Sequence, residues 1–120
     1  MAGRARVLVV DDEPAIRQAV EAVLVDEGFE VATAPNGAVA LDALEATRPD
    51  AILLDLRMPV MDGYAFLAAH RNLPAPRPPV IVCSTASNAA SLIDLGAAGY
   101  LRKPFDIDEL IAVINRFVAS

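Results

Sequence analysis

Five short apolar runs divide the chain, at residues 6–10, 29–33, 51–56, 80–83 and 99–101. The first, third and fourth are apolar almost throughout, which is typical of parallel strands that helices cover on both faces. The second run alternates between apolar and polar residues and indicates an edge strand with one wetter face. Segments of helical character separate the runs, so the pattern predicts an α/β domain with a five-stranded parallel sheet and right-handed crossovers.

Several residues mark where the predicted helices begin and end. Pro14 suits the first turn of helix one, where its missing N–H costs no hydrogen bond, and Gly28 provides a C-terminal stop. Helix three is predicted to open near Asp62. The last helix has a capping-box pattern, Asp106-x-x-Glu109, followed by apolar residues at helical spacing.

The region between helix three and strand five has three further features. Residues 74–79 are rich in proline and predict a stiff, extended loop rather than a domain boundary. The whole chain, 1–120, is therefore interpreted as one domain. The short fourth helix is predicted to begin near Ser87 or Asn88, and His70, near the end of helix three, is expected to face solvent.

Composition narrows the class of protein. Hydrophobic residues make up 55% of the chain and charged residues 22%, which predicts a packed core rather than disorder. A net charge of −6 argues against direct nucleic-acid binding by this domain, because phosphate contacts require a basic surface. No apolar run approaches the roughly 18 residues of a membrane span, and no signal peptide is recognisable. The single cysteine, Cys83, lies in an apolar run, and we expect a buried side chain in a cytoplasmic protein.

Charged and hydroxyl groups follow four of the five predicted strands. Asp11 and Asp12 come after strand one, Asp55 ends strand three, Ser84 follows strand four, and Lys103 follows strand five. Ligands of open parallel α/β sheets bind beyond the carboxyl ends of the strands. We therefore expect these groups to converge at one edge of the sheet.

Carboxylates held close together repel one another unless a cation joins them. Magnesium suits such a site because it binds a few carboxylates, keeps several waters and accepts phosphate oxygens. Lys103 would add positive charge for an incoming phosphoryl group, and a carboxylate would be the nucleophile. The sequence thus predicts a magnesium-assisted phosphoryl-transfer site.

Three motifs carry a resemblance to a known family: DDEP at 11–14, DLRMPVMDG at 55–63 and GAAGYLRKPF at 96–105. In this order and at these strand positions they resemble the receiver domains of bacterial two-component response regulators, over essentially the whole chain. The resemblance implies a flavodoxin-like fold with strand order 2-1-3-4-5.

The resemblance also implies the role of each acidic residue. Asp55 matches the phosphoacceptor. Asp12 matches the direct magnesium ligand, Asp11 the residue that holds the ion through water, and the backbone carbonyl of Arg57 completes the ligands. The bulky side chain of Arg57 further suggests the hypothesis that it shields the acyl phosphate from water.

On the other side of the predicted site, Lys103 matches the phosphate-binding lysine, and the peptide bond to Pro104 is implied to be cis. Tyr100 matches the aromatic residue that swings inward on activation. Ser84 is the favoured switch hydroxyl, with Thr85 as the alternative register. The segment between Ser84 and Lys103 is shorter than in many receivers, so the usual rearrangement of helix four is not carried over.

The resulting interpretation is a phosphorylation switch rather than an enzyme. A histidine kinase or phosphotransfer protein would supply the phosphoryl group, and a downstream effector or output domain would read the surface of helix four, strand five and helix five. Any output domain is expected downstream of Ser120. Two alternatives remain: a magnesium-dependent aspartyl-phosphate phosphohydrolase, which position 57 (Arg rather than Asp) disfavours, and a degenerate receiver that acts only as an interaction module.

Overall fold

The computed structural model describes residues 4–85 and 89–118. Strands and helices alternate along this part of the chain. Their bounds are β1 Arg6–Val10, α1 Pro14–Asp26, β2 Glu30–Ala34, α2 Gly37–Thr47, β3 Ala51–Asp55, α3 Gly63–Arg71, β4 Val80–Ser84, α4 Ala89–Asp94, β5 Gly99–Arg102 and α5 Ile107–Val118. All five predicted strands are present, with ends that differ by at most one residue from the prediction.

The strands form one parallel sheet in the order β2-β1-β3-β4-β5. The three most apolar strands, β1, β3 and β4, occupy its centre, and β2 lies at an edge, as the alternating pattern predicted. This confirms the predicted α/β fold of the flavodoxin-like type. It also places the carboxyl ends of β1, β3, β4 and β5 along a single edge of the sheet.

Alternate residues of the central strands enter two different hydrophobic clusters, because successive side chains of a strand point to opposite faces. One cluster joins one face of the strands to α2, α3 and α4 through Ala40, Phe66, Leu67 and Leu92. The other joins the opposite face to α1 and α5 through Leu24, Leu110 and Ile114. Cys83 belongs to this second cluster and is buried, as predicted.

The predicted end of α1 and the predicted starts of α3 and α5 are confirmed. Gly28 has φ +96°, a conformation that favours glycine, and it follows the end of α1. The side chain of Asp62 accepts a hydrogen bond from the N–H of Ala65 at the start of α3. At α5 the capping box is reciprocal: Glu109 N–H donates to Asp106 Oδ1 at 2.8 Å, and Asp106 N–H donates to Glu109 Oε1 at 3.3 Å.

Arg6 ties together the amino end of the sheet. Its backbone N–H donates to Asp50 Oδ2 at 2.8 Å, and its guanidinium donates to the carbonyl of Thr47. The same guanidinium lies 3.5 Å from Glu30 Oε1 on the edge strand. These contacts connect β1, β2 and the loop before β3 at the end of the sheet opposite the acidic residues.

The prediction that His70 faces solvent is wrong. Only 5% of its surface is exposed, because the end of α3 packs beneath the proline-rich loop. The ring stacks on Phe66 with centroids 6.2 Å apart, and Nε2 lies 2.7 Å from the carbonyl oxygen of Pro78. Since that oxygen can only accept, Nε2 carries the proton and the hydrogen bond connects α3 to the segment that leads into β4.

Burial lowers the pKa of His70 below its ordinary value, and Arg77 acts in the same direction, whereas the bond to Pro78 raises it. The folded protein therefore binds fewer protons at this group than the unfolded chain. We expect the contribution of neutral His70 to the free energy of unfolding to be fully present above the ordinary histidine pKa of about 6.5. At lower pH the free energy of unfolding should fall, with a limiting slope of about 1.4 kcal/mol per pH unit. Urea denaturation of wild type and His70→Gln between pH 7.5 and 5 measures it.

His70 is the only histidine in the chain, so no other imidazole contributes to this difference. The glutamine variant retains an amide that can donate to Pro78 and should lose less stability than wild type over the same range. Parallel pH profiles for the two proteins would contradict the prediction.

The helix between β4 and β5 is short. Helix α4 comprises Ala89–Asp94, and the predicted start at Ser87 or Asn88 lies outside the described residues. Among the helices of the described part of the chain, none has the length and apolar character that crossing a bilayer requires.

Candidate functional site

Three aspartates converge at the carboxyl edge of the sheet. Asp11 and Asp12 follow β1, and Asp55 is the last residue of β3. Each offers a carboxylate oxygen, and these oxygens all lie within 4.8 Å of one another. Asp11 is buried, while Asp12 and Asp55 are half-buried. The sheet thus brings together the acidic residues that the sequence analysis assigned to one site.

Lys103 faces this acidic cluster from the end of β5. Its Nζ lies 3.5 Å from Asp55 Oδ1 and 4.0 Å from Asp11 Oδ2. The backbone N–H of Lys103 donates to the carbonyl of Ser84 at 2.9 Å, which fixes the lysine relative to β4. The peptide bond between Lys103 and Pro104 is cis, in line with the implication of the resemblance.

Opposing effects act on the Asp55 carboxyl group. Burial is the largest, and it raises the pKa of Asp55 above its ordinary value because the charged form loses hydration. The charge of Lys103 lowers this pKa, that of Asp11 raises it, and a hydrogen bond with the backbone of Arg57 lowers it. The ionisation of Asp55 therefore depends on the positive charge close to it.

The floor of the site is apolar, which accounts for the loss of hydration. A cavity of about 30 Å³ is lined by Asp11, Asp55 and Lys103 together with apolar residues that include Val9, Leu53, Cys83 and Phe105. Cys83 is opposite Asp55 in the β3–β4 register. Burial raises the pKa of the Cys83 thiol to about 12, so this group stays protonated at neutral pH.

Asp11, in the turn between β1 and α1, is held by three hydrogen bonds. Its N–H donates to the carbonyl of Ala34 at 3.1 Å, and its Oδ1 accepts from the N–H of Glu13 at 2.9 Å. Its carbonyl oxygen accepts from Arg17 Nη1 at 2.6 Å. Arg17 was not among the site residues predicted from the sequence. The available signal was a basic residue close to a helix N-terminus, where the helix dipole favours acidic ones.

The loop between β3 and α3 approaches the site closely. The N–H of Gly63 donates to the carbonyl of Leu56 at 2.9 Å. A Cβ at position 63 would lie 2.8 Å from the carbonyl oxygen of Asp55 and 2.7 Å from the Cα of Leu56. Only glycine allows this approach, so Gly63 sets the path of the chain directly after Asp55. The side chain of Arg57, in the same loop, is exposed.

Ser84 and Tyr100 lie on the β4–β5 side of the site. Ser84 is buried as the last residue of β4, and Thr85, next in the chain, is exposed. The hydroxyl of Tyr100 donates to the carbonyl of Ser84 at 3.2 Å, and its ring packs against the cluster that contains α3 and α4. The choice of Ser84 as the switch hydroxyl and the movement of Tyr100 stay predictions.

The donor atoms of the acidic cluster fit a hard divalent cation. Three carboxylates supply oxygen ligands, which Mg2+ prefers, and their mutual repulsion favours a cation between them. The exposed rim of the site leaves room for water ligands, which Mg2+ retains in proteins. Lys103 adds a positive charge to the same site, with its Nζ 3.5 Å from Asp55 Oδ1.

A parallel sheet of this order, with acidic residues at the carboxyl ends of β1 and β3 and a lysine after β5, has the arrangement expected of a receiver domain. The family model of the response regulator receiver domain matches residues 7–115. The chain belongs to the family of response regulator receiver domains, which act in two-component signalling.

Curated relatives are similar over most of this chain. It is 42% identical over 119 residues to the DNA-binding transcriptional regulator NtrC of Escherichia coli (strain K12), covering 97% of this chain and 25% of NtrC. It is 42% identical over 112 residues to the transcriptional regulatory protein PrrA of Mycobacterium tuberculosis, covering 92% of this chain and 48% of PrrA. The chain thus spans a quarter to about half of the length of these relatives.

Solved receiver structures share the fold. Chemotaxis protein CheY4 of Vibrio cholerae superposes with a TM-score of 0.86 at 35% identity, covering 96% of this chain and 99% of CheY4. The receiver domain of sensor histidine kinase PA1611 from Pseudomonas aeruginosa PAO1 superposes with a TM-score of 0.87 at 32% identity, covering 99% and 100% of the two chains. That structure contains a magnesium ion coordinated in its active-site cleft.

Proposed function

We propose that this domain is a phosphorylation switch in which Asp55 accepts a phosphoryl group with the help of Mg2+. The observation that carries the proposal is the arrangement around Asp55. Its carboxylate lies at the end of β3, within 4.8 Å of ligand oxygens of Asp11 and Asp12 and 3.5 Å from Lys103 Nζ. Phosphoryl transfer requires mainly positioning and neutralisation of charge, and this arrangement can provide both.

In the transfer, a carboxylate oxygen of Asp55 attacks phosphorus and forms the new P–O bond. The bond between phosphorus and the donor breaks, and the donor takes the electron pair. Lys103 is placed to neutralise charge on Asp55 and on the phosphoryl oxygens. The Arg57 backbone contact to the Asp55 carboxylate helps to keep it ionised.

Asp11, Asp12, Asp55 and the backbone carbonyl of Arg57 would hold the ion. When bound, Mg2+ would neutralise part of the charge shared by the carboxylates and the phosphoryl oxygens. The magnesium ion in the cleft of the PA1611 receiver supports this assignment by likeness.

The phosphorylated state would be read on the β4–β5 side of the site. Ser84, buried at the end of β4, is the proposed hydroxyl that contacts the phosphoryl group. Tyr100 is connected to the same strand end through its hydrogen bond to the Ser84 carbonyl, so a shift there would alter the surface of α4, β5 and α5.

A histidine kinase or phosphotransfer protein is the proposed donor of the phosphoryl group, and an effector protein or output domain is the proposed partner that binds the altered surface. The net charge of −6 supports a domain that does not contact nucleic acid itself.

Incubation with acetyl phosphate and Mg2+, followed by intact-mass analysis, tests the proposal. Wild type should gain the mass of one phosphoryl group, and Asp55→Asn should gain none, because its amide cannot act as the nucleophile. Asp42→Asn is the matched control: Asp42 is an exposed aspartate on α2, outside the cluster, and its loss should leave labelling unchanged.

Two results would refute the assignment of Asp55. One is an unlabelled wild type under conditions in which the protein is folded. The other is equal labelling of wild type and Asp55→Asn. Removal of Mg2+ by a chelator should abolish labelling of wild type, and undiminished labelling would refute the part assigned to the cation.

A further inference from the structure

Arg17 lies on α1 but reaches back to the turn that carries two of the three acidic residues. Its backbone N–H donates to the carbonyl of Glu13 at 2.9 Å, so its main chain belongs to the first full turn of the helix. Side chains on a helix lean toward the N-terminus. That direction brings the guanidinium to Asp11, where Nη1 donates to the carbonyl oxygen at 2.6 Å.

This hydrogen bond connects the two ends of the segment 11–17, which contains Asp11 and Asp12. Asp11 Oδ1 already accepts from the N–H of Glu13, and Asp11 N–H donates to Ala34 on the neighbouring strand. With the bond to Arg17, the side chain, the N–H and the carbonyl of Asp11 each have a fixed partner. Asp12 lies between these anchored points, so the position of its carboxylate follows from the conformation of the turn.

The turn needs such support because it holds like charges together. The carboxylates of Asp11, Asp12 and Asp55 repel one another, and a free turn would relax by moving them apart. The guanidinium offers several N–H donors and no acceptor, and it is half-buried against the turn. It contacts a backbone carbonyl rather than a carboxylate oxygen, which leaves the ligand atoms of the cluster available.

We propose that Arg17 is a positioning residue that preorganises the acidic cluster for a divalent cation by fixing the turn between β1 and α1. The inference rests on the proposed magnesium-assisted function but concerns the unphosphorylated protein. Arg17 does not touch the phosphoryl group in this proposal. It acts through the main chain of Asp11.

The sign of one measurement separates this role from a simple charge effect. Loss of a positive charge near a cation site, with nothing else changed, tightens cation binding by removing repulsion. Loss of a positioning contact weakens it, and outer contacts of metal ligands typically contribute about tenfold or more to affinity. Arg17→Met should therefore raise the dissociation constant for Mg2+ about tenfold. An NMR titration of the unphosphorylated protein measures this constant.

Arg77→Met is the matched control. Arg77 Nη1 also donates to a backbone carbonyl, that of Leu73 at 2.8 Å, but at the proline-rich loop. Its replacement should leave Mg2+ affinity at the wild-type value. Amide hydrogen exchange of the metal-free protein gives a second readout: the Glu13 N–H, bonded to Asp11 Oδ1, should exchange faster in Arg17→Met and not in Arg77→Met.

Unchanged or tighter Mg2+ binding by folded Arg17→Met would overturn the proposal, and so would equal weakening by Arg77→Met. If Arg17→Met does not fold, Arg17→Gln takes its place under the same criteria, because its shorter amide cannot span to the Asp11 carbonyl. Failure of the proposed function looks different. A wild type that binds Mg2+ but takes no phosphoryl group would refute the role of Asp55 and leave that of Arg17 intact.

Discussion

Lys103→Met is expected to slow phosphorylation of Asp55 by acetyl phosphate about 100-fold, which is typical for the loss of one positioned group that stabilises transferred charge. Lys103 Nζ is 3.5 Å from Asp55 Oδ1 and 4.0 Å from Asp11 Oδ2, so its removal leaves two buried or half-buried acids without this cation. The pKa of Asp55 should rise as well, since the lysine charge lowers it in the wild type. Intact-mass time courses measure the rate, and carboxyl carbon NMR follows the titration.

Arg102→Met is the control for this variant. It removes a positive charge from the adjacent residue, whose side chain is exposed at the end of β5. The rate should stay within about twofold of wild type, because an exposed charge is screened by solvent. Equal slowing by Arg102→Met would show that net charge matters and the placement of Lys103 does not. A wild-type rate in Lys103→Met would contradict the role given to this lysine.

Gly63→Ala is expected to lower the free energy of unfolding by about 3 kcal/mol, the upper part of the usual range for forcing extra atoms into a packed site. The added methyl group would lie 2.7 Å from the Cα of Leu56 and 2.8 Å from the carbonyl oxygen of Asp55. Both are main-chain atoms, which cannot rotate away as a side chain can. Relief therefore requires a shift of the chain that carries Asp55, and phosphorylation of the folded fraction should slow too. Urea denaturation measures the stability.

Gly99→Ala provides the comparison. A Cβ at position 99 would meet the ring edge of Phe117 at 2.8 Å, which is the far end of a side chain on α5. Since that ring can turn, we expect a loss of about 1 kcal/mol and an unchanged rate of phosphorylation. Equal destabilisation by the two substitutions would show that contact with the main chain is not the deciding factor at Gly63.

The sheet and the convergence of acidic residues followed from the sequence because each depends on local patterns. Apolar runs identified the strands, and the rule that ligands bind beyond the carboxyl ends of parallel strands placed Asp11, Asp12, Asp55 and Lys103 together. The capping box at Asp106 and Glu109 was equally readable, since both of its hydrogen bonds lie within four residues of chain.

The features that were not predicted depend on contacts between residues six to eight positions apart, which no periodic or capping pattern records. His70 was expected in solvent because a lone polar residue on a helix usually lies there, but the proline-rich loop covers it and the carbonyl of Pro78 accepts a hydrogen bond from its Nε2. Arg17 was missed because its acceptor is a backbone carbonyl, so the sequence showed only a basic residue near the N-terminus of a helix and not its partner. The close approach of Gly63 to Asp55 became measurable only once the loop between β3 and α3 was placed in space.

The contacts of Arg6 at the amino end of the sheet have a consequence for how this domain can diverge. Arg6 connects β1, β2 and the loop before β3 there, and His70 closes the proline-rich loop before β4, whereas the acidic residues and Lys103 lie at the opposite end. Substitutions at the amino end can change folding stability while leaving the chemical groups in place. Selection on thermal tolerance can then act at the amino end of the sheet, so a lineage can adapt to a new growth temperature without changing the acidic cluster or Lys103.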